Sequence, residues 1–148
     1  MSGELPEAEQ TGLPNLGRPL RVLVCPDQPD WAFHNIARNL VRHAPDRFEV
    51  EIQFIGSDQR RGLCDLAERI IREDADLVHV FWREDMFDLL RPETLIEIAG
   101  KLDMDVSDLI ALLAPRALTT SIYDHMHLSE LAIRLRAPSF SMIDGYTV

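Results

Sequence analysis

From position 21 to position 122 the chain alternates between two hydrophobic rhythms. RVLVC at 21–25, DLVHVFW at 76–82 and ALTTSI at 117–122 are short, near-continuous apolar runs, the pattern of strands buried on both faces. Phe48, Val50, Ile52 and Phe54 instead alternate with Glu49, Glu51 and Gln53, which predicts a half-exposed strand at a sheet edge. Between these runs the apolar spacing changes to three and four. Trp31, Phe33, Ile36, Ala37, Leu40 and Val41 predict an amphipathic helix ending near His43, with Asp30 where an N-cap belongs. Leu63, Leu66, Ala67, Ile70 and Ile71 predict a second helix over 62–73. Segments 93–102 and 106–113 predict two more, 128–136 another, and 145–148 opens a further strand.

Such alternation specifies a parallel sheet, because each right-handed crossover needs a helix to return the chain. The expected fold is α/β: a three-layer, Rossmann-like parallel sheet over 19–148 with helices on both faces, behind a flexible tail at 1–18. In open sheets of this class ligands sit beyond the carboxyl ends of the strands. That rule singles out the loops at 26–30, 82–86 and 123–127.

Composition narrows the partners. At 148 residues and 46% hydrophobic content the chain can bury one core, about 70% of its unfolded surface. Its 25 acidic against 15 basic residues give a formal charge of −10, which repels nucleic-acid backbones and anionic lipids. Lys101 is the only lysine. Cys25 and Cys64 lie far apart and form no CxxC pair, so free thiols and a cytoplasmic setting are expected. No apolar run approaches the ~20 residues a bilayer span needs.

The turn at 26–30 lacks the GxGxxG that lets a diphosphate approach the backbone, and Asp27 and Asp30 repel one. Asp30 suits either a helix cap or, with Asp27, an acceptor for the hydroxyls of a neutral ligand. Trp31 suits an apolar platform or packing on the sheet. His34 projects near the crevice, toward ligand or water. Tyr123, Asp124, His125 and His127 form the densest titratable cluster, at a strand end, where Asp124 and His125 suit proton exchange near neutral pH. A solvated turn capped by Asp124 accounts for the same residues. His125 and His127 lack a third ligand, so no metal is expected. His79, inside a strand, reads as a satisfied interior group. Arg83, Glu84 and Asp85 read as a solvated rim, with Arg83 able to grip a carboxylate.

Residues 95–114 resemble the helix-turn-helix of repressors, yet the second helix offers Ser107 and Asp108 and no arginine or lysine, so DNA binding is not expected. A signalling receiver is disfavoured, because the third strand ends in Phe81 and Trp82 rather than an aspartate.

Taken in order, RVLVCPDQPDWAFHNIARNL, DLVHVFWRED and LTTSIYDHMHL, followed by FSMIDGYTV, resemble the N-terminal domain of GT-B glycosyltransferases of the family-4, or group 1, type. DLVHVFW is similar to that family's D-x-V-H-x-H strand and SIYDH to its T-x-H-D strand end. Tyr123 stands where the family often has the histidine, and His125 follows the aspartate instead. The resemblance implies an acceptor-side half that meets a sugar or glycan-like acceptor, with Asp124 and His125 near the transfer site and Asp27, Asp30, Trp31, His34, Arg83, Tyr123 and His127 around the substrate. It also implies a donor-binding domain beyond Val148, no cofactor other than a nucleotide-sugar co-substrate, and inactivity of this half alone. Ending at that point, the chain is expected to expose apolar surface over 143–148 and to self-associate. A non-catalytic, flavodoxin-like binding module is the competing reading.

Overall fold

A computed structural model of the chain describes residues 17–121 and 142–147. Five strands, β1 (Leu20–Cys25), β2 (Phe48–Ile52), β3 (Leu77–Trp82), β4 (Ala117–Ser121) and β5 (Gly145–Thr147), form one parallel sheet in the order β2-β1-β3-β4-β5. The described residues include five helices: α1 (Ala32–His43), α2 (Gln59–Arg72), α3 (Arg83–Leu89), α4 (Pro92–Lys101) and α5 (Val106–Leu113). The expected α/β architecture is present, with β2 at an edge as its alternating glutamates require. The segment predicted as a helix over 128–136 lies outside the described residues.

The two-residue period of the strands divides the core. Leu23, Cys25, Val78, Val80 and Leu118 face α2, α3, α4 and α5 in the larger cluster, whereas, among the described residues, Val24 and Phe81 cluster with Ala37 and half-buried neighbours under α1. The first helix is therefore packed more loosely than its spacing implies. Ala37 is its buried residue, and Trp31, Ile36, Leu40 and Val41 stay exposed. By contrast Ile143, expected at an exposed apolar end, is buried in the larger cluster with Met142 packed against it. Asp144 fixes that approach: its amide donates to the Leu118 carbonyl at 2.7 Å and its Oδ2 accepts from the Leu118 amide at 2.8 Å.

Local chemistry also moves three boundaries. The helix expected from Gly62 starts at Gln59, because the Asp58 carboxylate accepts from the Arg61 amide as an N-cap. Gly62 then lies against the chain leaving β2, where a Cβ would overlap the Ile55 carbonyl oxygen. Residues 83–85, read as a solvated rim, open α3 instead, and Arg83 is only 4% exposed. Trp31, not Asp30, is the N-cap of α1. Asp30 adopts the left-handed φ of 62° that aspartate tolerates better than most residues.

At the amino ends of the strands Asp76 accepts from the Arg21 amide at 2.8 Å and takes both prongs of the Arg18 guanidinium at 2.7 and 3.1 Å. Those bonds hold its carboxyl below the ordinary range. Asp76 thus ties the start of β1 to the start of β3.

Candidate functional site

The strand order reverses between β1 and β3, since the chain steps from β1 outward to β2 and then back across to β3. Their carboxyl ends, Cys25 and Trp82, therefore open the crevice in which sheets of this class bind ligands. Three segments surround it: the turn after β1, the chain after β2, and the first turn of α3.

The turn after β1 is fastened without glycine. The Pro26 carbonyl accepts from the Ile55 amide at 3.1 Å, and the Asp27 carbonyl from the Gly56 amide at 2.8 Å. These bonds hold the Asp27 backbone, while its side-chain Oδ1 is buried with no hydrogen-bond partner among the described residues. A buried carboxylate oxygen in that state forgoes roughly 1–3 kcal/mol or more, so the position favours a donor arriving from outside. Next in the chain, the Asp30 amide donates to His34 Nδ1 at 2.8 Å. The neutral imidazole thus carries its proton on Nε2, and its ring meets the edge of Phe54 at 5.0 Å.

Across the crevice, Gln59 on α2 donates from one amide nitrogen to Asp85 Oδ1 at 2.6 Å and Asp88 Oδ2 at 3.0 Å. Burial, and then the charges of Asp88, Asp27 and Glu84, push the Asp85 carboxyl above the usual carboxylate range; the Gln59 bond opposes them. Arg83 points its Nε at Glu84 Oε1, 2.7 Å away. The rim is accordingly acidic, a poor seat for a diphosphate and a good one for hydroxyl donors.

Aromatic rings line the α1 side. The register between β3 and β4 shifts between Val80 and Trp82, and Trp82 turns toward α1. Phe33 stacks on Phe81 at 5.2 Å and meets Trp82 edge-on at 5.1 Å. Trp82 remains 39% exposed and Trp31 58% exposed. Behind them His79 bonds Thr119 Oγ1 at 2.8 Å through Nδ1 and Ser121 Oγ at 2.9 Å through Nε2, and burial lowers its pKa. It is the satisfied interior histidine that its strand position implied.

No family model, curated protein or solved structure matches this chain. What the site does must therefore be argued from its own groups.

Of the residues singled out in the sequence, Asp27, Asp30 and Trp31 share the turn after β1, His34 sits in the first turn of α1, and Arg83 opens α3 directly after the adjacent β3. Tyr123, Asp124, His125 and His127 lie outside the described residues. Sequence reasoning missed Gln59, and it included Trp82 and Asp85 in the crevice loop 82–86 without giving either a binding role. Trp82 was legible, since it ends a buried strand. Gln59 was not, because only the tertiary fold brings the start of α2 against α3. Among the described residues no group of three or more acidic, histidine or cysteine side chains is arranged to hold a metal. No helix among them is long and apolar enough to cross a membrane.

Proposed function

We propose that the chain is the acceptor-side half of a nucleotide-sugar-dependent glycosyltransferase of GT-B layout, which takes a hydroxyl-rich acceptor over the carboxyl ends of β1 and β3 and needs a separate donor-binding domain for transfer. One observation carries this reading: Asp27 Oδ1 is buried and unpartnered at the point where the strand order reverses. A sugar hydroxyl satisfies that oxygen without adding negative charge. A diphosphate would face Asp27, Glu84, Asp85 and Asp88 together. Asp85, whose Oδ1 already accepts from Gln59, adds further carboxylate acceptor capacity beside Asp27, which suits the hydroxyls of a diol. The exposed indoles of Trp31 and Trp82 offer apolar surface for the C–H face of a pyranose ring. In the resemblance that motivates this reading, Asp124 and His125 line the acceptor side of the transfer site.

The order β2-β1-β3-β4-β5 also favours a second reading, a flavodoxin-like module that binds a ligand without turnover. Amide-resolved NMR titration of the chain with free hexoses and N-acetylhexosamines, and with ADP and UDP as contrasts, tests the site common to both. Shifts at residues 26–31 and 82–86 with a sugar, lost in Asp27→Ala, are expected. A stronger response to the nucleotides, or none to any sugar, overturns the acceptor assignment. The reading frame beyond codon 148 separates the two: continuation into a second Rossmann-like domain is expected for the transferase.

A further inference from the structure

We propose that Cys64 and Lys101 are a redox modification site, in which peroxide oxidation of the thiol leads to a covalent sulfur–nitrogen cross-link between α2 and α4. Lys101, the only lysine of the chain, ends α4 with its Nζ 3.4 Å from Cys64 Sγ and 3.2 Å from Glu97 Oε1. The lysine side chain is 53% exposed and Cys64 is 8% exposed, so the sulfur lies just beneath a solvent-facing amine. Thiol, amine and carboxylate are thus in line within hydrogen-bonding range, from two helices that meet side by side.

The chemistry closes with one oxidant. The Cys64 thiolate attacks hydrogen peroxide, giving a sulfenic acid and, after protonation, water; sulfur is oxidised and the peroxide oxygen reduced. The hydroxide released from the peroxide takes its proton from the Lys101 ammonium, and the freed lone pair attacks the sulfenic sulfur. The S–N bond forms, the S–O bond breaks, and the hydroxyl leaves as water with a second proton from nitrogen. The protein loses two hydrogen atoms in all. Two equivalents of a small thiol reverse the link by forming their own disulfide. Cys25 supplies the internal contrast: it is 1% exposed inside β1, and burial pushes its thiol far above the usual range, which suppresses the reactive thiolate.

Hydrogen peroxide treatment of the full chain, followed by intact mass and non-reducing peptide mapping, tests the site. The expected product is lighter by two hydrogens, carries the Cys64 and Lys101 peptides joined, and returns to the starting mass with dithiothreitol. Lys101→Arg keeps the charge and removes the nucleophile, so Cys64 should gain one oxygen and be trapped by dimedone. Cys25→Ala should retain the link, which separates it from a Cys25–Cys64 disulfide. Wild-type protein whose Cys64 resists peroxide, or is oxidised while Lys101 remains open to acylation, overturns the proposal.

Discussion

Asp85 couples the crevice to pH. Burial and three neighbouring carboxylates hold its proton more tightly in the folded chain than in the unfolded one, whose reference value is 3.8. The native state therefore binds more protons across the window that opens at that value, and this group's contribution to stability falls as pH rises through it. Asp85→Asn keeps an acceptor for Gln59 and removes the charge. We expect it to be more stable than the parent at pH 7, with the difference vanishing below the ordinary carboxylate range; urea titrations at several pH values measure this. If parent and variant keep a constant gap at all pH values, Asp85 is not displaced. The residue-level logic of the turn was partly legible: its acidity and lack of glycine are in the letters. That Asp27 ends buried without a partner was not, because burial depends on the chain after β2 folding across it.

Among the elements, α2 and the β3/β4 pair make the sharpest demands on single residues. Gly62 lies where α2 crosses the backbone at Ile55, and a methyl group there collides with a carbonyl oxygen rather than a movable side chain. Alanine favours a helix over glycine by ~1 kcal/mol. Forced repacking costs about 1–3 kcal/mol and is least forgiving against backbone. Gly62→Ala should therefore destabilise by about 2 kcal/mol, read as a lowered urea midpoint, and a stabilised variant would contradict the close approach. In the β3/β4 pair, His79 is clamped between Thr119 and Ser121 and its pKa is lowered by burial. The unfolded chain takes up this proton first as pH falls below the ordinary 6.5, so the stabilisation from neutral His79 is present above that value and lost beneath it. An NMR titration should show the His79 ring protonating below the ordinary 6.5, and His79→Gln should flatten the stability profile between about pH 5 and 7.

Across the whole molecule, cohesion is unequal on the two faces of the sheet. Among the described residues four helices bury the larger cluster, whereas α1 is the one helix on the other face and leaves Ile36, Leu40 and Val41 exposed. Leu66→Ala or Ile70→Ala, at fully buried positions, should cost about 2–5 kcal/mol. Leu40→Ala, half in solvent, should cost under about 1 kcal/mol. Chemical denaturation of the three variants checks the contrast, and similar losses at Leu40 and Leu66 would mean that α1 is packed as tightly as α2. The sequence alone determined the class of fold, because strand and helix periods and burial on one or both sides are local properties of ten or so consecutive residues. It therefore yielded the parallel sheet, the edge position of β2 and the interior role of His79. Only the tertiary structure decided what is shared between distant segments: the strand order that puts the crevice between β1 and β3, the helix that buries Arg83, the Gln59 fork on Asp85 and Asp88, and the contact of Lys101 with Cys64. The side-chain pairings among them join residues 26 to 37 positions apart, and no periodicity in the chain records which helix face meets which strand end.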